Sequence, residues 1–381
     1  MSVYTNVSEH ELAQFLRDYE LGGACALTGI SAGVENSNYF LDTEKGHFVL
    51  TIFERLPRNK IPYFLDLTEW LSLHGIPCPR PVHTTAGTSL STLCGKPAAI
   101  VQRLSGASIE GRVPSVTEIG MLGTLLARMH LAGETFPERH PNPAGLLWWQ
   151  ETARHLVPHL SPENNAVIAD EIAYQSALNR RDLPGGVVHA DLFPDNVLFE
   201  KGQISGTIDF YYAGDDAWLY DLAVVANAWC SEADGRFDRA LVTALWDAYV
   251  ATRPLQTGEE ALWFPLLRAA ALRFWLLRLD ATFAAPGPSP NAKTRRNTGG
   301  SSSCASEALS LQPDAARRHA IGITIDHRVA SFPTSVRAPP ARARRTGPRW
   351  PVRPNPADAH RQGSRRRVQP PPPSERFPDS A

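Results

Sequence analysis

Residues 189–196 read HADLFPDN, and thirteen positions further on Asp209 lies inside a run of apolar and β-branched residues, 204–211. No other stretch restricts the fold as much. Val187 and Val188 read as a short strand before it, while 197–199 and 204–208 read as a hairpin turned by Lys201-Gly202 after it. The pattern therefore predicts a polar loop between strands, with a second carboxylate carried back beside it by the hairpin. His189, Asp191, Asn196 and Asp209 should converge.

Their residue types fit one kind of chemistry. A His, an Asp two positions on, an Asn five further and an Asp at a strand end is the set with which kinase-like phosphotransferases hold a hydroxyl beside ATP and magnesium. Transfer of a γ-phosphoryl group is limited by positioning and charge neutralisation, so hard oxygen ligands must hold a divalent cation. Asp191 would accept the alcohol proton, Asn196 would offer its amide oxygen to the metal, and Asp209 would supply the second ligand. A metal hydrolase built on His189 and Asp191 is the competing reading, and it lacks the further His ligands such a site usually needs.

Three stretches carry a resemblance. HADLFPDN, GTIDFYYAGDDAWLYDLAVVANAWC (206–230) and GVENSNYFL (33–41) together resemble the bacterial homoserine kinases of the aminoglycoside phosphotransferase-like, protein-kinase-like superfamily. The likeness runs from about residue 4 to about residue 285. Ala228 departs from it, since an acidic residue is usual there. The resemblance implies an α+β, two-lobed protein-kinase-like fold, with a small antiparallel-sheet N-lobe and a mostly helical C-lobe. It also implies transfer of the ATP γ-phosphate to the hydroxyl of L-homoserine, with Asp191 as base, Asn196 and Asp209 as Mg2+ ligands, and His189 and Asp221 supporting the catalytic loop. An N-terminal helix carboxylate, favoured by the helix dipole, is an equally good reading of Asp221.

The N-terminal third can be read directly. Ser8 with Glu11 is a capping-box start for a helix to about residue 19. Strands at 25–31 and 37–42 flank a small-residue turn, and 47–54 is a third strand. Together they suggest a phosphate lid in which Gly33, Asn36 and Asn38 face ATP, although a single Gly serves an ordinary hairpin turn equally well. Kinase-like folds place a Lys in the third strand and a Glu in the next helix; here Thr51 and Phe64 stand there. Arg55 or Lys45 could supply the missing charge, and each also reads as a solvated cation at a strand end. The strand at 96–104 corresponds to the hinge of the resembled fold, with Gln102 and Leu104 facing adenine.

The larger lobe reads as helices. Ser115 with Glu118 opens one with a buried face at Ile119, Leu122, Leu125, Leu126 and Met129. Others are expected from Pro162 and over 218–230, 237–252 and 258–283. The last is apolar enough to suggest a membrane span, but Arg268, Arg273 and Arg278 interrupt it. Spaced five apart, these arginines turn about 140 degrees from one to the next, so they cannot share one solvated face. At least one should point into protein. A homoserine carboxylate would suit Arg273, and its ammonium Asp215 or Asp216; structural ion pairing explains each of them as well.

Composition divides the chain. Residues 287–381 hold 17 basic residues, only Lys293 among them a lysine, against 6 acidic ones, whereas the preceding body is acidic. This Pro/Arg-rich stretch lacks periodicity and is expected to be disordered. It reads either as a basic arm for nucleic acid or as the product of a frameshift, and we favour the frameshift. The resulting organisation is an N-lobe at 1–104, a helical C-lobe at 105–286 and the tail. Five cysteines without CxxC pairing, and a start without a basic and apolar leader, suggest a cytoplasmic protein; the resemblance implies a small-molecule substrate and no membrane partner, and the frameshift reading of the tail leaves no nucleic-acid partner expected. Alternatives are a kinase for another amino alcohol, choline, a sugar or an aminoglycoside, or a non-catalytic nucleotide-binding protein.

Overall fold

The computed structural model describes residues 3–31, 35–180, 182–232 and 235–283. The chain divides into two compact units, Met1–His327 and Arg328–Ala381, and every described residue lies in the first. The tail and Gly33 fall outside the described residues.

Helix α1 (Glu9–Leu16) starts at a complete capping box: Ser8 Oγ accepts from the Glu11 N–H, and the Glu11 carboxylate accepts from the Ser8 N–H. Strands β1 (Ala24–Gly29), β2 (Asn36–Thr43) and β3 (Gly46–Phe53) follow, then α2 (Ile61–Leu73), β4 (Ser91–Leu93) and β5 (Lys96–Gln102). The five strands make one antiparallel sheet in the order β1-β2-β3-β5-β4. Strand alternation decides its two faces. Tyr39, Leu41, Leu50, Ile52 and Ile100 are buried against Leu12, Phe15 and Leu16 of α1, whereas Asn36, Asn38, Thr51 and Phe53 occupy the other face. Phe53 there meets the Tyr211 ring edge-on at 5.6 Å.

The chain then crosses into the larger part. Strand β6 (Ala107–Ser108) pairs with β8 (Val197–Glu200), and β8 pairs with β9 (Gln203–Thr207). The expected boundary at residue 104 thus lies between β5 and a strand that already belongs to the second layer. Helices α3 (Val116–Gly133), α4 (Leu146–Leu156) and α5 (Pro162–Ala177) precede β7 (Gly185–Val188), which pairs with β10 (Gly214–Ala217). Helices α6 (Trp218–Trp229), α7 (Arg239–Thr252) and α8 (Trp263–Phe283) complete the lobe. The fold is the expected α+β, protein-kinase-like one.

Two differences from expectation have local causes. Helix α8 starts at Trp263 rather than near residue 258, because Glu259 forms a buried two-bond ion pair with Arg253 (2.9 and 3.0 Å) that holds the preceding turn. The helix over 146–156 has no proline or acidic cap to announce it and was not expected. The α8 arginines do diverge: Arg268 pairs with Glu171, Arg273 with Asp191, and Arg278 lies over the Phe274 ring. None of the described helices is long and apolar enough to cross a membrane.

Helices α3 and α7 touch closely at a glycine. A Cβ on Gly123 would lie 2.5 Å from the Leu245 carbonyl oxygen, and backbone cannot yield as a flexible side chain does. Gly123→Ala should therefore destabilise the protein by about 1–3 kcal/mol. A thermal unfolding midpoint equal to that of the parent would show that the helices separate freely.

Candidate active site

The polar loop is built by hydrogen bonds that leave its carboxylate facing a cleft. After β7, His189 is fully buried and its N–H donates to Asp221 Oδ2 at 2.7 Å, while the Ala190 N–H donates to Asp221 Oδ1 at 2.8 Å. Ala190 has φ of 60°, a left-handed conformation rare for a residue with a side chain. Asp221 holds it there. His189 Nε2 donates to the Ile208 carbonyl (3.1 Å) and its Nδ1 accepts from the Asp191 N–H (3.3 Å), which defines a neutral tautomer; burial lowers its proton affinity accordingly.

Asn196 closes the loop from its other end. Its Nδ2 donates to the Asp191 carbonyl at 2.8 Å and lies 3.4 Å from Asp191 Oδ2, so the amide oxygen points away from that contact. The Ile208 N–H donates to the Asn196 carbonyl (3.0 Å), bringing the end of β9 against the loop. Asp209 follows, also left-handed with φ of 65°. Strained non-glycine residues on both sides of one loop are typical of sites whose geometry the surrounding structure imposes. The structure thus brings Asp191, Asn196 and Asp209 together.

Charge is crowded here. Asp209 keeps part of its surface open to solvent while protein atoms crowd closely around its carboxyl. Desolvation, followed by the repulsion of Asp191, Glu35 and Asp195, pushes its carboxyl up to about 7. Arg273 is the cation at hand: its Nη2 donates to Asp191 Oδ1 at 3.0 Å, with Arg273 0% and Asp191 20% exposed. Glu35 was not anticipated, although it sits within the GVENSNYFL run.

Behind the loop lies a buried polar chain. His130 Nε2 donates to Asp221 Oδ2 (3.1 Å), and Tyr249 OH donates to His130 Nδ1 (2.8 Å). Burial keeps His130 neutral, outweighing the pull of Asp221. Burial also opposes ionisation of Asp221, but the His130 bond and the neighbouring histidines prevail and hold its carboxyl below the usual range. In the sequence, His130 looked like any other position on the α3 face.

The sheet side of the cleft differs from common kinases. Thr51 Oγ1 donates to Asn38 Oδ1 at 2.8 Å, and Phe64 packs edge-on against Tyr211 at 5.7 Å. A polar pair and an aromatic layer stand where a Lys–Glu pair would be. Lys45 lies in the β2–β3 turn, at the end of the sheet away from residue 35, so it cannot replace the Lys; Arg55 follows β3 at the near end and is exposed. The Gln102 N–H donates to the Arg80 carbonyl (2.8 Å), and its side chain shares the α1 face with Phe48. Leu104 packs over Gly206 of β9.

Asp215 and Asp216 are engaged elsewhere. Asp215 accepts from Arg139 (3.3 Å) and from the His140 N–H (3.0 Å); Asp216 accepts from Asn142 (2.7 Å) and from the Ala217 N–H (2.8 Å). Both tie β10 to the 139–142 segment. The structure does not bring them to Asp191.

A strand-held polar loop, an Asp at the end of the next hairpin and an antiparallel sheet over the cleft define a phosphotransferase of the protein-kinase-like fold. Residues 26–255 match the model of the phosphotransferase enzyme family, and the chain belongs to that family. Among its relatives, the homoserine kinase of Methylobacillus flagellatus is 45% identical over 294 residues, covering 77% of this chain and 92% of that protein. The homoserine kinase of Cupriavidus pinatubonensis is 46% identical over 292 residues, covering 73% and 88%. Similar solved folds include amicoumacin kinase hAmiN in complex with AMP-PNP and Ca2+, with a TM-score of 0.61 at 17% identity over 82% of this chain and 94% of that one. Another is a microcompartment-associated aminopropanol kinase, with a TM-score of 0.58 at 18% identity over 82% and 97%.

Proposed function

We propose that the protein transfers the γ-phosphoryl group of ATP to the side-chain hydroxyl of L-homoserine, giving O-phosphohomoserine for threonine synthesis in the cytoplasm. The observation that carries this is the convergence of Asp191, Asn196 and Asp209 on one cleft, in a chain about 45% identical to homoserine kinases over nearly their whole length.

The residues fit a divalent cation. Asp209 is surrounded by like charges that a cation would relieve, and Asn196 keeps its amide oxygen free of the contact that anchors its nitrogen. Asn196 and Asp209 would hold Mg2+, which when bound neutralises the charge of the phosphoryl group under transfer. Asp191 receives the hydroxyl proton as the alcohol attacks. Its backbone is held on one side by the Asp221-braced turn and on the other by Asn196, so the direction of the side chain is set before the acceptor binds. Asn36, Asn38 and Leu104 line the nucleotide side.

Purified protein given ATP, Mg2+ and L-homoserine should form ADP and O-phosphohomoserine in equal amounts. Preference for choline, a sugar or an aminoglycoside in a parallel panel would overturn the assignment.

A second expectation concerns the cation site. Because the folded-state carboxyl of Asp209 is raised from 3.8 to about 7, the folded protein retains a proton there that the unfolded chain has released. The stabilisation is complete below about pH 3.8 and is lost as pH rises through about 7. Without divalent cations at pH 8, Asp209→Asn should therefore melt higher than the parent, and the two should converge toward pH 4. Mg2+ should raise the parent's midpoint at pH 8 and leave that of the variant in place. An equal Mg2+ response in both would move the cation away from Asp209.

A further inference from the structure

Arg273 is a buried guanidinium with most of its hydrogen-bonding capacity unused. Nη2 reaches Asp191 Oδ1, but Nε and Nη1 are buried without a partner among the described residues. The Tyr212 ring lies 4.9 Å from the guanidinium carbon and supports its charge without using those donors. The Tyr220 hydroxyl on α6 is likewise buried and unpartnered, within electrostatic range of Arg273. Buried donors in native proteins are rarely left unpaired, and a buried charge least of all. Arg273 and Tyr220 are thus idle donors on the packed helices α8 and α6, with Arg273 bonded to the Asp191 carboxylate.

We propose that Arg273 and Tyr220 form the subsite for the acceptor's carboxylate, and that filling it draws Arg273 off Asp191. This rests on the acceptor being a short amino-acid alcohol, as proposed above. In the free enzyme, the guanidinium occupies one oxygen of Asp191. A substrate carboxylate offers it a charge-assisted, two-bonded partner and so competes for it. An acceptor with a hydroxyl at one end and a carboxylate at the other meets both members of the pair, and recognition of one end releases the oxygen that deprotonates the other. Arg273 is then the residue that selects acids over plain amino alcohols.

The test compares L-homoserine with 3-aminopropan-1-ol, the same acceptor without its carboxylate, in the parent, Arg273→Gln and Tyr220→Phe. Arg273→Gln should lower kcat/KM for homoserine roughly 30-fold or more, as removal of one partner of a buried charge-assisted pair does. It should lower the value for 3-aminopropan-1-ol by a much smaller factor, because that acceptor has no carboxylate for the guanidinium to hold. Tyr220→Phe removes a single hydroxyl and should raise the KM for homoserine about fivefold, with a smaller change in kcat and in the KM for 3-aminopropan-1-ol. Equal losses for both acceptors in Arg273→Gln would reduce Arg273 to a structural partner of Asp191 and overturn the proposal. So would an unchanged homoserine KM in Tyr220→Phe, which decides the matter even if the arginine variant does not fold. A parent that phosphorylates 3-aminopropan-1-ol but not homoserine would instead overturn the functional reading, and the carboxylate subsite with it.

Discussion

Asp191→Asn should reduce kcat by about a hundred- to ten-thousandfold while leaving nucleotide affinity within a few-fold of the parent, measured by steady-state turnover alongside equilibrium nucleotide binding. The variant keeps the shape of the side chain and removes only its capacity to take a proton. The loop should survive, because Asn196 Nδ2 and the Phe193 N–H both bond the backbone carbonyl of residue 191, which the substitution does not touch. Arg273 keeps an oxygen acceptor in the new amide. Near-normal turnover would mean that another group accepts the proton, and Asp195 and Asp209 would be the carboxylates to examine next.

Asp221→Ala should destabilise the protein by about 3–5 kcal/mol and abolish activity, because it strands several buried groups at once. The His189 and Ala190 N–H groups and His130 Nε2 all donate to that carboxylate, and His130 and Asp221 are both fully buried. Ala190 would lose what holds its left-handed backbone, and with it the direction of Asp191. Asp221→Asn is nearly as severe, since its NH2 end would face a donor. A sign accompanies the stability claim: the Asp221 carboxyl is lowered on folding, so its contribution is present above the ordinary carboxylate range and is lost as pH falls through the folded value. Denaturant unfolding measures the effect, and a change below about 1 kcal/mol would show that water replaces the carboxylate without penalty.

Close spacing is what made the catalytic loop readable. Asp191 and Asn196 lie five residues apart, near enough for the chain between them to bend into one turn, and the Lys201-Gly202 turn returns Asp209 beside them with little freedom in register. The capping boxes at Ser8 and Ser115 were readable for the same reason, because each is completed within four residues. Thr51 and Phe64 announced the absence of a Lys–Glu pair. They did not announce what fills the space, since the Asn38 and Tyr211 contacts arise from strand register and lobe closure.

Asp215 shows the opposite case. Its charge suited an ammonium, but a strand residue faces whichever neighbour the sheet brings, and here that is Arg139 and the His140 backbone. For Arg273, the five-residue spacing on α8 indicated that some arginine must point inward and left open which one. The order of residues along the chain was enough to specify the phosphotransferase loop, the helix starts and the acidic hairpin end, because hydrogen bonds across a few positions define them. Pairings between residues about 80 to 120 positions apart, Arg273 with Asp191 and Tyr249 with His130, came into being when α3, α6, α7 and α8 packed. No local pattern encodes such a contact, because its partners meet only when helix packing brings together segments that sequence distance does not relate.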